Sequence, residues 1–212
     1  MLTGPKLGAM HQPSLFDDPA PPPPALPPGL VVEDGFLSPD EEAALIALVR
    51  GLPFAAARYK GYTARRRVVS YGGSFDYDAN RLLPAQPLIE ALHPLRERAA
   101  DWAGLAPAAL VHALVAEYVP GTPLGWHRDV PDFEEVIGVS LGNPAELRFR
   151  PYPPVAPKRA DILRLRVEPR SIYLLRGEAR WGWQHSVPPV TALRWSITFR
   201  TRRAAAGRHP AD

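Results

Sequence analysis

Strict alternation of polar and apolar positions marks the chain between residues 194 and 200. Four polar side chains alternate there with three large apolar ones, in the order Arg194, Trp195, Ser196, Ile197, Thr198, Phe199, Arg200. Successive side chains of a β-strand point to opposite faces of a sheet. This segment is therefore predicted to be a strand with one polar, cationic face and one face in the hydrophobic core.

Short runs of strand-forming residues precede this segment and are separated by glycine and proline. They predict strands at about residues 111–119, 135–142, 145–150, 161–167, 170–176 and 192–200. Two helical segments come before them in the chain. Helices first and many short strands afterwards favour an α+β fold, in which a double-sheet jelly roll (a double-stranded β-helix) is buttressed by N-terminal helices.

The first helical segment begins with a recognisable capping sequence. Ser38 is suited to the N-cap, Pro39 to the first helical position, and Glu41 completes a capping box. Gly51 is expected to end the helix. Its apolar stripe is predicted to consist of Ala44, Leu45, Leu48 and Val49.

The second helical segment spans about residues 86–102. Proline lacks the N–H group that a helix interior requires, so Pro94 is expected to kink or divide this segment. The residues predicted to share its apolar side are Leu88, Leu92, Leu95, Ala99 and Trp102.

Composition separates the chain into one domain and two tails. Residues 1–29 are rich in proline, which favours an extended, disordered tail that cannot form a packed core. Residues 30–203 are predicted to form a single domain that is long enough to bury a sizeable core. Residues 204–212 are predicted to form a short basic tail.

The residue counts exclude several classes of protein. The chain of 212 residues contains no cysteine, which excludes a disulfide framework and a thiolate zinc site. The absence of cysteine agrees with a reducing cytoplasm, where we expect the protein to be located. We also expect it to be a monomer. No run approaches the ~18 apolar residues of a membrane helix, so no membrane partner is expected. The formal net charge of +3 indicates a nucleic-acid partner only weakly, and local clusters carry more weight.

Two histidines and one aspartate could hold a metal ion. His127 and Asp129 are two positions apart, so on an extended strand their side chains leave the same face. His185 follows much later in the chain. Two neutral imidazoles and one carboxylate form the three-ligand set that leaves Fe(II) with open positions for a co-substrate and O2. Arginines are suited to the carboxylates of such a co-substrate because they are always charged and can bind bidentately.

The ordered set of His127, Asp129, His185, Arg194 and Arg200 resembles the AlkB family of Fe(II)/2-oxoglutarate dioxygenases. Further segments support the resemblance over about Val31 to Arg203: 116–121 upstream of His127, 139–142 after it, and 196–200 at the end. The resemblance implies that the two histidines and Asp129 bind Fe(II), with 2-oxoglutarate and O2 as co-substrates. It also implies that Arg194 and Arg200 bind the two carboxylates of 2-oxoglutarate, with Arg194 at the distal one. Tyr118 would donate a hydrogen bond to it, and Ser196 lies on the same strand face.

This resemblance implies oxidative demethylation of N-alkylated nucleobases, as in the repair of alkylated DNA or RNA. A non-repair dioxygenase that acts on methylated protein lysine or on tRNA is the alternative. Two departures from the family pattern keep that alternative open. Ala116 stands where many members have an asparagine that binds the co-substrate. An acidic base-reading residue two positions after Asp129 is absent. Asp132 comes one position later and is a candidate substrate contact.

Basic and aromatic residues alternate between residues 58 and 77, with glycines that supply bends. Arginine and lysine can neutralise phosphates, and aromatic rings can stack on an unpaired base. A basic loop is, however, often no more than a solvated face. In the AlkB family, residues like those at about 55–80 form a nucleotide-recognition lid. The resemblance therefore predicts substrate contacts for Arg66, Arg67, Tyr71, Phe75 and Tyr77, with Tyr71 stacking on the base opposite His127.

Several large side chains that lie close to the predicted iron ligands in the sequence are also expected to be near the site. Trp126, Trp181 and Trp183 are expected to be pocket walls, because an aromatic next to a ligand more often packs than stacks on a substrate. Arg148 and Arg180 are expected to lie at the mouth of the substrate site.

The proline-rich tail contains one short motif, Gln12-Pro13-Ser14-Leu15-Phe16. It resembles the peptide by which bacterial replication and repair proteins dock on the sliding clamp, with a glutamine, a spacer and then Leu-Phe. Apolar anchors on a flexible segment raise the effective concentration of the attached domain near its target. A chance pentamer in a proline-rich tail is the alternative.

A synthetic peptide of residues 8–20 is expected to bind a bacterial sliding clamp, because Leu15 and Phe16 can enter apolar pockets. Fluorescence anisotropy measures the binding. Leu15→Ala with Phe16→Ala should abolish it, whereas Pro13→Ala, which keeps both anchors, should not. If the wild-type peptide shows no measurable binding, the clamp hypothesis is removed.

Overall fold

The computed structural model describes residues 26–59, 62–76, 81–155 and 161–204. Most of the two predicted tails lies outside these ranges, as do the clamp-like residues Gln12, Leu15 and Phe16. The predicted substrate contact Tyr77 lies outside them as well. Within the described ranges, no helix is long and apolar enough to cross a membrane.

Strands dominate the second half of the described chain, as predicted. The helices are α1 (Pro39–Arg50), α2 (His93–Ala103) and α3 (Gly177–Trp181). The strands are β1 (Leu30–Glu33), β2 (Ala55–Tyr59), β3 (Tyr62–Tyr71), β4 (Ser74–Asp76), β5 (Arg81–Leu83), β6 (Leu110–Tyr118), β7 (Leu124–His127), β8 (Phe133–Leu141), β9 (Ala145–Pro151), β10 (Leu163–Val167), β11 (Ile172–Leu175), β12 (Trp183–Val187) and β13 (Arg194–Arg202). Short 3-10 turns at Glu90–Leu92 and Pro107–Ala109 precede α2 and β6.

Two antiparallel sheets form the jelly roll. The larger sheet has seven strands in the order β1-β11-β8-β13-β6-β3-β2, and the smaller has four in the order β10-β9-β12-β7. Strands β4 and β5 form a separate two-stranded sheet. Neighbours such as β13 and β6 are distant in sequence, because the chain crosses between the sheets. The predicted fold class is confirmed.

The larger sheet separates two hydrophobic cores. On one face it packs against α1 and α2, and this helix-side core includes Val49, Leu95 and Phe199. On the other face it packs against the smaller sheet, and this inter-sheet core includes Tyr118 and Phe149. The helices therefore buttress the larger sheet, while the space between the two sheets is available for a site.

The capping box at the start of α1 is confirmed. Ser38 Oγ accepts from the backbone N–H of Glu41 at 3.2 Å, and the Ser38 N–H donates to Glu41 Oε2 at 2.7 Å. Val49 is fully buried, but Ala44 is exposed and Ile46 packs against the core instead. The stripe therefore contains Ile46 in place of Ala44, while Leu45, Leu48 and Val49 pack as predicted.

The predicted division of this segment near Pro94 is observed. A 3-10 turn at Glu90–Leu92 leads into α2, which begins at His93, so Pro94 lies in the first helical turn. Proline is tolerated there because the N–H groups of the first turn have no partner inside the helix. The predicted apolar residues, from Leu88 to Trp102, do pack in the helix-side core.

The two faces of β13 separate as the alternation predicted. The apolar residues Trp195, Ile197 and Phe199 are buried in the helix-side core. The polar residues of the other face lie between the two sheets: Arg194, Ser196, Thr198 and Arg200. A single strand thus contributes both to the core and to one wall of an internal polar pocket.

Gly138 of β8 lies directly beneath the ring of its cross-strand partner Tyr173 on β11. A Cβ atom at Gly138 would lie 2.2 Å from Tyr173 Cζ, closer than any real contact. Only glycine allows the ring to occupy this place without displacing the strand.

Gly138→Ala is expected to lower the free energy of unfolding by about 1–3 kcal/mol, since the added methyl group overpacks a rigid site. Urea denaturation measures the change. Gly125→Ala is the matched control, because a Cβ atom at Gly125 meets nothing within 4 Å. Equal stabilities of the two variants would contradict the packing described.

Candidate active site

Three side chains that could bind a metal converge between the sheets. One ligand atom from each of His127, Asp129 and His185 lies within 4.8 Å of the others. His127 of β7 and His185 of β12 are direct cross-strand partners, and their ring centroids are 4.2 Å apart. His185 Nε2 lies 3.6 Å from Asp129 Oδ2. The three residues that the sequence singled out are therefore brought together.

The orientation of His127 is fixed by its own strand. His127 Nδ1 lies 2.9 Å from the carbonyl oxygen of Gly125, where it can donate a hydrogen bond. A protonated Nδ1 leaves Nε2 with its lone pair exposed, and this is how such bonds commonly prepare a histidine for a metal.

Asp129 comes from a loop and not from the predicted strand, because β7 ends at His127. The loop is held by Arg180 of α3, which is 2% exposed. Its Nη2 donates to the carbonyl oxygens of Asp129, Val130 and Phe133, at 3.1, 2.8 and 2.9 Å. The prediction that Arg180 lies at the mouth of the substrate site is wrong, since this side chain is buried behind the loop.

The carboxylate of Asp129 is held by Arg200. Arg200 Nε and Nη2 lie 2.8 and 2.7 Å from Asp129 Oδ1. Burial alone would raise the pKa of Asp129, but Arg200, with smaller contributions from His185, His127 and Arg180, outweighs burial and holds that pKa far below its ordinary value. Asp129 is therefore ionised at neutral pH.

The two histidines are neutral. Burial, reinforced by His127, lowers the pKa of His185 to about 3, and burial also lowers the pKa of His127. Neutral imidazoles and an ionised carboxylate are the protonation states in which these groups bind a divalent cation. The donor set therefore fits Fe(II), with positions left for other ligands.

An inner pocket extends from these three residues between the two sheets. Arg194 lies in its wall, 4% exposed, and donates to Ser140 Oγ at 2.9 Å and to the carbonyl of Asn143 at 3.3 Å. Among the described residues, no carboxylate pairs with Arg194. A buried cation without a counter-ion is costly unless a ligand supplies one. The inner pocket therefore suits a small organic acid.

Tyr118 lies beside Arg194, and its ring centroid is 5.2 Å from the guanidinium carbon. Burial would raise the pKa of Tyr118, but nearby Arg66 and Arg194 and hydrogen bonds with Arg66 and Ser196 lower it overall. Ser196 thus contacts Tyr118 in the pocket. Ala116 and Arg66 also line the inner pocket.

Arg66, which was predicted to contact the substrate, lies between the two pockets. Its side chain lines both the inner pocket and the adjoining outer cleft. Arg66 is therefore placed to act on the co-substrate as well as on the substrate. The sequence could have indicated this, since Ala116 removes the usual polar side chain from the pocket wall and a compensating group is needed.

Arg200, which was predicted to bind a carboxylate of the co-substrate, forms its hydrogen bonds with other residues of the protein. Besides the two bonds to Asp129, its Nη1 donates to Thr198 Oγ1 at 3.0 Å and lies 3.3 Å from His112 Nδ1. All three nitrogens thus have partners within the protein. Contact between Arg200 and a co-substrate stays a prediction.

His112 is a residue that sequence reasoning missed. It is buried, packs on Phe133 with ring centroids 4.6 Å apart, and forms a hydrogen bond with the backbone of Gly73. Burial, with the charge of Arg200, lowers its pKa to about 3. His112 thus connects Arg200 to the turn after β3, and nothing in its sequence context pointed to that position.

An outer cleft of about 620 Å³ adjoins the inner pocket, and His127 and Asp129 line both. Its far wall consists of small side chains from β2 and β3, including Ala56, Val68 and Ser70. A substrate group placed in the outer cleft would therefore reach the candidate metal ligands directly.

Two predicted substrate contacts are wrong. Tyr71 is 1% exposed in the helix-side core and cannot stack on a base. Arg67 pairs with Glu117, at 2.5 Å, and does not line the outer cleft. Both residues lie on β3 at odd positions that face the helices, whereas Arg66, Val68 and Ser70 face the cleft. Residues 55–80 were interpreted from the sequence as a lid. This interpretation did not consider that successive side chains of this segment point to opposite faces of a strand.

The other predicted site residues either lie away from the two pockets or stay predictions. Asp132 is partly exposed and is not among the residues that line the outer cleft. Phe75 lies on β4, and its contact with a substrate stays a prediction, as does that of Tyr77. Trp126, Trp181 and Trp183 line neither pocket, so they are not pocket walls, and Arg148 lies on the outer surface of the smaller sheet.

Comparison with known proteins places this geometry in a family. Residues 29–203 match the family model described as the 2OG-Fe(II) oxygenase superfamily. The chain is 28% identical over 176 residues to the Xenopus tropicalis tRNA (carboxymethyluridine(34)-5-O)-methyltransferase alkbh8, which covers 78% of this chain and 26% of that protein. It is 32% identical over 152 residues to the Escherichia coli K12 alpha-ketoglutarate-dependent dioxygenase AlkB, which covers 66% of each.

The chain thus spans about a quarter of the Xenopus relative and about two thirds of the Escherichia coli one. The solved structure of OsALKBH1 superimposes with a TM-score of 0.63 at 18% identity, and covers 84% of this chain and 100% of that one. This similarity shows that the fold is shared.

Stability of the metal-free protein is expected to fall as the pH drops from 6.5 toward 3. A histidine with a lowered pKa in the folded state contributes stability that is complete above its unfolded pKa of 6.5 and is lost toward its folded pKa. Each such histidine contributes a slope of up to about 1.4 kcal/mol per pH unit. Urea denaturation across this range measures the slope.

His112→Asn should make the pH dependence shallower, because it removes one of the buried neutral imidazoles. An identical slope in this variant and the wild type would show that His112 is not held neutral by folding.

Proposed function

Because the chain belongs to the 2OG-Fe(II) oxygenase superfamily, we propose that it is an oxidative demethylase of N-alkylated nucleobases in DNA or RNA. Membership of that superfamily implies Fe(II), 2-oxoglutarate and O2 as cofactors. The observation that carries the proposal is the pairing of the three metal-binding side chains with the unpaired cation of Arg194 in one inner pocket, which meets an outer cleft.

The proposed iron ligands are His127 through Nε2, His185, and the carboxylate of Asp129. Arg200 keeps that carboxylate ionised and oriented, and Arg180 fixes the loop that carries it. Arg194 supplies the counter-charge for the distal carboxylate of 2-oxoglutarate, and Ser140 fixes the direction of its guanidinium. Tyr118, with Ser196 and Arg66 around it, offers a hydrogen bond to the same co-substrate.

When bound, iron, 2-oxoglutarate and O2 supply the oxidation of a C–H bond in the alkyl group, with release of succinate and CO2. The hydroxylated N-methyl group then leaves as formaldehyde, and the proton of its hydroxyl group returns to the base nitrogen. The protein must present the alkyl carbon at the shared wall of His127 and Asp129. A base reaches that wall only when it is flipped or unpaired, which costs a few kcal/mol and favours lesions that already block pairing.

Nucleic acid is favoured by the cations around the outer cleft. Arg66 and Arg128 both line it, and these side chains can neutralise phosphates of the strand that carries the base. The similarity to the Escherichia coli AlkB dioxygenase supports the same class of substrate. The sliding clamp, through Gln12, Leu15 and Phe16, is proposed as a partner from the sequence motif alone.

A second candidate is modification of tRNA, which the similarity to the Xenopus relative favours, because that protein is a tRNA methyltransferase by name. Demethylation of methylated protein lysine is a further alternative. Apart from the proposed metal ligand Asp129, the described residues that line the outer cleft offer no acid to a methylated ammonium group, which makes that alternative weaker.

Release of succinate and formaldehyde with a panel of substrates tests the proposal. Oligonucleotides of DNA and RNA that contain N1-methyladenine or N3-methylcytosine are expected to stimulate both products, because each methyl group lies on the pairing edge. Unmodified tRNA and methyl-lysine peptides are expected not to. His127→Ala should lose both products, whereas His93→Ala, which changes a histidine outside the site, should retain them.

Turnover of 2-oxoglutarate that no methylated oligonucleotide stimulates would exclude the demethylase. Stimulation by tRNA alone would favour the second candidate.

A further inference from the structure

The smaller sheet turns one face toward the inter-sheet core and the other outward. Leu147 and Phe149 of β9, and Leu163 and Leu165 of β10, pack in that core. Because side chains alternate along a strand, the residues between and after them point outward. These residues, which we call the outer arginine face, are Arg148, Arg150, Arg164 and Arg166.

The outer arginine face holds more positive charge than its own carboxylates neutralise. Arg148 and Arg164 are direct cross-strand partners, an arrangement that is unfavourable for like charges. Glu146 accepts from both, at 2.5 and 2.6 Å, so one carboxylate is shared between two cations. Arg166 pairs with Glu168. Among the described residues, the ion pairs on this face thus match two carboxylates to three of its four arginines.

Arg150 is held by neutral partners. Its Nε donates to Gln184 Oε1 at 2.8 Å, and its guanidinium carbon lies 4.5 Å from the ring centroid of Trp126. Within the described part of the chain, no carboxylate forms an ion pair with it. Stacking on an aromatic ring fixes the plane of a guanidinium and leaves its N–H edges available to an anion.

The outer arginine face is connected to the outer cleft by Arg128. This residue lines the cleft, and its guanidinium carbon lies 3.6 Å from the ring centroid of Tyr152. Tyr152 follows the last residue of β9 and is 41% exposed. Cations stacked on aromatic rings therefore lead from the rim of the cleft toward the arginines of β9 and β10.

We propose that the outer arginine face binds the phosphates of the nucleic-acid strand whose alkylated base occupies the outer cleft. The inference rests on the proposed function, and it adds where the rest of the strand lies. A continuous polyanion satisfies every cation on this face at once, and Tyr152 offers an exposed ring on which a neighbouring base can stack. The face carries affinity for the backbone and no preference for sequence.

Binding of single-stranded oligonucleotides to the full chain, measured by fluorescence anisotropy over a range of salt concentrations, tests the inference. The test variant is Arg164→Gln with Arg166→Gln, whose side chains are 47% and 70% exposed and far from the candidate ligands in the sheet order. Loss of two phosphate contacts should reduce the slope of log K against log salt by about 1.4 for a single strand.

The length of the oligonucleotide distinguishes binding at the outer arginine face from binding in the outer cleft. A strand of about 16 nucleotides, the upper end of known site sizes, should lose affinity in the variant, whereas a methylated trinucleotide should not. Uncoupled turnover of 2-oxoglutarate should be unchanged, since neither arginine lines the inner pocket.

The matched control is Arg50→Gln with Arg170→Gln. It removes the same charge near α1, where Arg170 lies 3.8 Å from Glu42. If test and control variants show equal affinity and equal salt slope, the outer arginine face does not bind the strand. If the wild type releases formaldehyde from methylated strands all the same, the proposed function survives and only this inference fails. Binding of acidic peptides in preference to oligonucleotides would also overturn it.

Discussion

Asp129 is a buried carboxylate that must remain ionised beside two imidazoles that must remain neutral. Arg200 contributes most to the ionised state of Asp129, because its guanidinium contacts Oδ1 and its charge, together with those of neighbouring groups, outweighs the cost of burying the carboxylate. The same arginine uses its third nitrogen on Thr198 and His112, so its position is fixed from several sides. Arg180 holds the loop that carries Asp129, and the carbonyl oxygen of Gly125 orients His127.

The register of β13 connects the metal side of the site to the co-substrate side. Arg194 pairs with Tyr118 across β6, and Ser196 pairs with Ser140 across β8, so the polar groups of three strands face one inner pocket. Arg194 and Arg200 are six residues apart on the same face of β13. Arg200 forms an ion pair with Asp129, whereas no carboxylate of the described residues pairs with Arg194. We therefore propose that a small dicarboxylate binds at Arg194, while Arg200 holds Asp129.

Local patterns in the sequence predicted the parts of this molecule that depend on local rules. The capping box of α1 and the two faces of β13 follow from residue type and period. His127 and Asp129 were recognisable by spacing, whereas the role of His185 came from the family resemblance. Tertiary contacts decided the rest. Tyr71 and Arg67 were misplaced because β3 is a strand of the larger sheet, between β6 and β2. Arg180 was misplaced because its partners are carbonyl oxygens, which no residue type reveals.

A crystal structure of the full chain, grown without oxygen in the presence of Fe(II) and 2-oxoglutarate, tests the central claim most directly. The account predicts one iron bound by His127, Asp129 and His185, with the distal carboxylate of 2-oxoglutarate on Arg194 and Asp129 still held by Arg200. An iron bound by other residues, or a 2-oxoglutarate whose distal carboxylate lies away from Arg194, would contradict it.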